Sequence, residues 1–249
     1  MNFTILQFDT LESTNTEAII QAKLGAGEGL CIIARQQTAG RGRHGRTWVS
    51  DKDSGLYFSI VLRPKLEMRF LPLITLMAGV AVHDMLAEIG LKPDIKWVND
   101  ILINGKKICG ILAETVDTSK GLAVIVGIGI NLKSSNFPPE IANTATSVKA
   151  ETGRVLTGDE ISAILTRFLG YFYDILSDAV GPETIRDEWH KRSTYANGKS
   201  VRIVLENETI TGITDGLEVN GALRLKTADG DLKIIKAGDV EQLRQFETK

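Results

Sequence analysis

The sequence is poor in cysteine and histidine, and it has no long apolar run. Only Cys31 and Cys109 occur in 249 residues, each inside a strand-like apolar stretch. That pattern fits buried thiols in a reducing compartment better than a disulfide framework. The three histidines, His44, His83 and His190, are scattered, without the spacing that ligates a transition metal. The longest apolar stretch, Leu71 to Val82, runs straight into His83 and Asp84 and is too short to cross a bilayer. The opening MNFTILQFD carries no basic residue ahead of its apolar stretch, so no secretory signal is expected. These absences point to a cytoplasmic protein without a membrane span. A net charge of -2 argues against a whole-surface nucleic-acid binder.

With 43% hydrophobic and 24% charged residues, the chain has enough apolar side chains for one sizeable core and a small second domain. A strand over Phe3 to Phe8 is expected, then Ser13-Thr14-Asn15 as a polar cap for a helix over Thr16 to Leu24, closed by Gly25. Gly29 to Gln36 reads as a buried strand, Leu56 to Leu62 as an alternating one ended by Pro64. Phe70 to Ile89 has helical periodicity before Gly90. Ile95 to Ile103 and Lys107 to Glu114 flank Asn104-Gly105, a strong hairpin signal, and Leu122 to Leu132 is one more apolar strand. Helices over Asp159 to Ser177 and Pro182 to Lys191 follow. From Val201 to Lys236 only short strand-like pieces remain, separated by Asn-Glu, Asn-Gly and Asp-Gly turns, which reads as a small all-β barrel. The fold class is therefore α+β, with a mixed, mainly antiparallel sheet and helices. The boundary falls near Thr194, giving domains 1–194 and 195–249.

Between Ile32 and Ser50 stand four arginines, Arg35, Arg41, Arg43 and Arg46, and no acid. Gly40-Arg-Gly-Arg-His-Gly45 formally matches a dinucleotide fingerprint, but Thr47-Trp48-Val49 and a polar loop follow it where that fingerprint opens a helix. The segment does offer backbone N–H groups that glycine lets approach an anion, and guanidinium groups that grip phosphate. Trp48 is either a core tryptophan or a face for stacking a purine. Lys96-Trp97-Val98-Asn99-Asp100 places a lysine, an amide and a carboxylate at a strand end. Solvent-facing charge is the plain alternative there. Lys107 either reaches across the sheet face or is an ordinary edge-strand lysine. Gly127-Ile-Gly-Ile-Asn131 sets two glycines in an apolar strand, for a bulge, for tight packing, or because something approaches the backbone closely.

In this order the segments resemble the bacterial biotin protein ligases over nearly the whole chain. Ser13-Thr14-Asn15 is similar to the family's biotin-side loop and Gln37 through Trp48 to its glycine-arginine signature. Lys96 to Asp100 resembles its Lys-Trp-Pro-Asn-Asp motif, Gly105 to Leu112 its Gly-Lys-Lys-x-x-Gly-Ile-Leu strand, and Gly127 to Asn131 its Gly-x-Gly-x-Asn strand. Gly221 to Val240 resembles its C-terminal barrel. Val98 stands where the family usually has proline and His44 where it usually has arginine; neither change removes a contact group that the resemblance assigns.

The resemblance implies a class II synthetase-like catalytic domain, an SH3-like C-terminal barrel, and a carbon–nitrogen ligase reaction in two steps. Biotin and ATP give biotinyl-5'-AMP, and a lysine of a carboxylase's biotin carrier domain then takes the acyl group. It implies biotin contacts at Ser13, Thr14, Asn15, Gln37, Arg41, Gly42, Arg43, Lys107, Gly110, Gly127 and Gly129, and nucleotide contacts at Arg41, Arg43, Arg46, Trp48, Asn99, Lys107 and Asn131. Lys107, Arg43 and Asp100 are the catalytic candidates, Asp100 either orienting and deprotonating the carrier lysine or assisting magnesium. Mg2+ would be carried mainly by the ATP phosphates. The ligase motifs begin at residue 13, so no DNA-binding head and no DNA partner are expected; pairing of two copies through a strand edge stays open. The competing readings are a lipoate-type ligase on the same scaffold, and a non-catalytic nucleic-acid binder marked by steeply salt-dependent binding.

Overall fold

The computed structural model describes residues 1–133, 137–205 and 208–242. Its main sheet has seven strands in the order β1-β2-β3-β7-β6-β5-β4. These are β1 (Thr4–Leu11), β2 (Leu30–Gln37), β3 (Gly55–Leu62), β4 (Pro93–Lys96), β5 (Asp100–Ile103), β6 (Lys106–Thr118) and β7 (Gly121–Asn131). Only β1 and β2 run parallel; every other neighbouring pair is antiparallel. The α+β expectation holds.

Both faces of this sheet are covered, and that explains where its strands depart from simple alternation. Helix α1 (Thr14–Lys23) lies on one face, with Ala18 and Ala22 packed on Ile32, Val61 and Ile125. On the other face α2 (Leu73–Glu88) packs together with α4 (Gly158–Leu176) and α5 (Gly181–Arg192). Central β3 is consequently buried from Leu56 to Leu62 on both sides instead of alternating. Met68–Glu88 is long and apolar enough by composition to span a membrane, contrary to the reading of Leu71 to Val82. Its apolar residues are accounted for by burial of α2 between the sheet and the other two helices.

Local sequence explains several element ends. Thr157 and Glu160 form a capping box at the start of α4, each side chain satisfying the other's backbone N–H. Thr157→Ala should lower unfolding stability by about 1 kcal/mol, measurable as a smaller urea midpoint with unchanged slope. At Asn104-Gly105 both residues have positive φ, 51° and 77°, as a two-residue hairpin turn requires.

Three expectations need correction. The stretch from Ile95 to Ile103 is two strands, because the chain turns back at 97–99 so that Lys96 pairs with Asp100; Trp97 is buried at that turn, and the Trp97–Val98 peptide is cis. The first helix begins at Thr14, and Ser13, in the cap position, makes no side-chain capping bond. A short helix, α3 (Val148–Thr152), lies between β7 and α4, where no element was expected.

A second sheet of five antiparallel strands, ordered β11-β10-β9-β8-β12, forms the all-β unit. It comprises β8 (Asn197–Val204), β9 (Thr209–Leu217), β10 (Leu223–Lys226), β11 (Leu232–Ile235) and β12 (Asp239–Gln242). It docks through the turn before β10: Trp97 Nε1 donates to Gly221 O at 3.0 Å, and Gly221 lies against Leu73 and Leu76 of α2.

Candidate active site

On the face that carries α1, three glycines leave a patch of the sheet without side chains. Gly110 of β6 is opposite Gly129 of β7, and Gly127 is two residues along the same face. A Cβ at Gly129 would lie 2.5 Å from Trp48 Nε1, and one at Gly110 2.9 Å from Trp48 Cζ3. At Gly127 it would lie 2.8 Å from Asn15 Cγ and closer still to Asn15 Oδ1. Close approach by other side chains, not a bulge, is therefore why glycine sits in an apolar strand. The patch is the floor of a cavity of about 400 Å³.

One end of the cavity is polar and uncharged. The first turn of α1 brings Ser13, Thr14 and Asn15 there, all nearly buried. Thr14 N–H donates to Gln37 Oε1 at 2.8 Å, and Gln37 Nε2 donates to Ser50 Oγ at 2.8 Å. Asn15 Nδ2 donates to Glu114 Oε2 at 2.7 Å and lies 3.3 Å from Leu112 O. Ser59 Oγ, fully buried, lies 2.7 Å from Thr14 Oγ1 and 2.6 Å from Asn15 Oδ1. The three residues expected as a cap are thus turned to the cavity.

The opposite wall is cationic. The glycine-arginine segment folds back on itself through an Arg41–Thr47 bridge, with Gly42 N–H donating to Arg46 O at 2.7 Å. One 3-10 turn, Arg43–Gly45, forms its tip, so it opens no helix and is no dinucleotide fingerprint. Arg43 Nη1 donates to Asn99 Oδ1 at 3.2 Å and to Gly238 O at 3.4 Å. Arg46 pairs with Asp239 of the second sheet, and Arg41 with Glu114 at 2.9 Å. Burial pulls Arg43 below the ordinary arginine value, against the opposing pull of Asp239 and Asp100.

Lys107 reaches in from the start of β6. Its Nζ is 2.6 Å from Asp100 Oδ1 and 5.4 Å from the centroid of Trp48. Asp100 also meets Lys96 at 2.9 Å. Burial alone would raise the Asp100 carboxyl, but Lys107 and Lys96 outweigh it and hold the group below the usual carboxylate range. The Lys107 backbone is clamped to the 144–146 segment, its N–H donating to Thr144 O at 2.7 Å and its carbonyl accepting from Thr146 at 2.9 Å. Asn131 reinforces that clamp, with Nδ2 3.0 Å from Thr146 O.

Residues 8–131 match the Biotin/lipoate A/B protein ligase family, and residues 197–242 the Biotin protein ligase C terminal domain. The biotin--[acetyl-CoA-carboxylase] ligase of Paracoccus denitrificans is 33% identical over 92% of this chain and 96% of its own length. The chain belongs to the biotin protein ligase family. The bifunctional ligase/repressor BirA of Bacillus subtilis is 37% identical over 95% of this chain and 73% of its own length. Among solved structures, the Aquifex aeolicus biotin protein ligase in complex with biotin and ATP superposes with a TM-score of 0.82 at 30% identity, covering 97% of this chain and 99% of that one.

Every site residue singled out from the sequence of this ligase lines the one cavity, from Ser13 to Asn131. Arg35 does not join the other arginines. It lies on β2, paired with Asp9 at 3.0 Å and Asp53 at 2.7 Å, because strand alternation puts it on the sheet face of Ile33, opposite the face of Ile32 and the glycine floor. Sequence reasoning missed Ser59, Glu114, Asp239 and the 137–145 wall. Ser59 carried a usable signal, being the single polar residue in a strand otherwise buried and apolar. Among the described residues both cysteines are buried free thiols; burial pushes them up, Cys31 to about 12, so neither is poised for chemistry.

Proposed function

We propose that this ligase activates biotin with ATP and transfers it to a lysine of a carboxylase's biotin carrier domain. The observation that carries the reading is one cavity with a neutral hydrogen-bonding end at Ser13, Thr14, Asn15 and Gln37 and a cationic end at Arg43, Arg46 and Lys107. A ring head without charge suits the first end, and a carboxylate meeting a polyphosphate suits the second. Residues 1–194 would hold the chemistry and 195–249 the appended domain; the second sheet beginning at Asn197 supports that division. Use of ATP supports the cytoplasm as its setting.

In the first step a biotin carboxylate oxygen attacks the α-phosphorus of ATP, the bond to pyrophosphate breaks, and biotinyl-5'-AMP forms. Two anions must meet, so fixed cations at the developing charge lower the barrier. Lys107 would bridge the carboxylate and the α-phosphate, with Arg41, Arg43, Arg46 and Asn99 on the phosphates, and Trp48 and Asn131 beside the adenine. Magnesium would be carried mainly by the ATP phosphates. In the second step the carrier lysine attacks the acyl carbon and AMP leaves. Asp100, whose carboxylate already holds two ammonium groups at 2.6 and 2.9 Å, would orient the incoming amine.

The test is to mix the protein with biotin, Mg-ATP and a carrier domain and to look for the mass of one added biotin. No added mass overturns the reading, and addition of lipoate with biotin silent would transfer it to the lipoate ligases. The mixed anhydride must also be kept from water. Arg43, which ties the loop tip to Asn99 and Gly238, is placed to do so. Arg43→Ala should therefore raise the adenylate off-rate by at least about tenfold, as loss of one charge-assisted contact implies; an unaltered off-rate would contradict this role.

A further inference from the structure

We infer that Ser59 and Glu114, neither of which lines the cavity, are positioning residues that set the proton direction of its polar end and restrict it to ring heads bearing N–H donors. The inference rests on the biotin reading above and concerns how that ring is chosen.

It follows from counting protons. Asn15 Nδ2 has two hydrogens and two acceptors within reach, Glu114 Oε2 at 2.7 Å and Leu112 O at 3.3 Å. A carboxylate can only accept, so Glu114 fixes the amide with Oδ1 turned to Ser59. Oδ1 cannot donate, so the single Ser59 proton must go to it across 2.6 Å. The Thr14–Ser59 contact of 2.7 Å can then carry only the Thr14 proton. Gln37 Oε1 takes the Thr14 backbone N–H at 2.8 Å and lies 3.1 Å from Thr14 Oγ1, a longer contact for the Thr14 proton than the one to Ser59; one hydrogen of the Gln37 amide goes to Ser50, whose own proton goes to Trp48 O at 2.9 Å. Each side-chain proton of Thr14, Ser59 and Asn15 thus has a partner inside the protein. What faces the cavity from Thr14 is lone pairs.

A cyclic urea, with two N–H groups flanking a carbonyl, fits such an end. Ser13, whose hydroxyl makes no capping bond, remains to donate to the carbonyl. A dithiolane head, which has no N–H, would leave the accepting side of the nearly buried Thr14 hydroxyl without a donor, a penalty that discriminates between the two heads. Glu114 also accepts from Arg41 at 2.9 Å, so the same carboxylate ties this end to the arginine loop.

Direct titration of the full-length protein with biotin tests the inference. Ser59→Ala and Glu114→Leu should each weaken biotin binding about ten- to a hundredfold, with the KM for ATP of Ser59→Ala within about twofold of wild type. Glu114→Gln, which can still accept from Asn15, should recover most of that loss. The decisive readout is the affinity ratio between biotin and biotin methylated on one ureido nitrogen. It should shrink in Ser59→Ala, because the Thr14 proton is released to donate, whereas a purely structural defect would weaken both ligands equally and leave the ratio alone. Wild-type affinity in Ser59→Ala and Glu114→Leu, or an unchanged ratio, overturns the inference while the ligase reading stands. Failure of the wild-type protein itself to bind biotin would instead remove the reading beneath it.

Discussion

Lys107→Ala is expected to slow biotinyl-adenylate formation by about a hundred- to a thousandfold, or about 2.7 to 4 kcal/mol of transition-state stabilisation, by analogy with removal of an oxyanion donor. The effect should be chemical and not structural. The residue's backbone is fastened on both sides to the 144–146 segment, and Asn131 holds that segment from below. Asp100 keeps Lys96 at 2.9 Å, so its buried carboxylate is not left alone. The lysine that is lost is partly desolvated between Asp100 and the Trp48 ring, where charge acts more strongly than at the surface. By contrast the Arg46–Asp239 pair lies at an exposed rim, with Arg46 66% exposed, and such pairs contribute little to stability. Single-turnover pyrophosphate release reports the step directly. Release at the wild-type rate would show that Lys107 does not stabilise the developing charge.

Much of this site was legible because its residues are contiguous in short segments whose types announce their chemistry. Glycines and arginines alternate from Gly40 to Arg43 and recur at Gly45 and Arg46, and a lysine follows the Asn104-Gly105 turn. The hairpin was readable because both positive φ angles favour those two residues. Elements resolved less well where tertiary structure overrides local pattern. Ser13 to Asn15 look like a cap, yet a nearby cavity takes their side chains, and the helix starts with Thr14. Residues 95–103 are apolar enough for one strand, but Trp97 finds a buried partner in Gly221, 124 positions away. Arg35 looked like part of the basic cluster because sequence adjacency says nothing about which side of a strand end faces the site; Asp9 and Asp53 claim it. Asp239 belongs to the segment that resembles the family's barrel, but nothing local ties it to the site, since that meaning comes from Arg46, 193 residues earlier. Long-range partners of this kind are what a single sequence hides.

Gly127 gives opposite expectations from sequence and from structure, and so makes a sharp test. Propensity alone says that alanine in a strand interior should be stabilising by about 0.5 to 1 kcal/mol. Packing says the reverse, because the new Cβ would stand 2.8 Å from Asn15 Cγ and nearer still to Oδ1. Asn15 cannot simply swing aside. Its amide is held by Glu114 and approached by Leu112 O, and its carbonyl oxygen accepts from Ser59, which is fully buried. Moving it would strand buried polar groups in addition to straining the core, so an overpacking cost of about 1 to 3 kcal/mol outweighs the backbone gain. Gly127→Ala should therefore lower the urea midpoint and weaken biotin binding by about ten- to a hundredfold. Gly158→Ala is the matched control, since its Cβ would meet only Leu56 Cδ1 at 3.7 Å, an ordinary contact. If the Gly127 variant proves as stable as wild type and binds biotin equally well, the glycine floor does not position Asn15, and the polar end of the cavity is organised by something else.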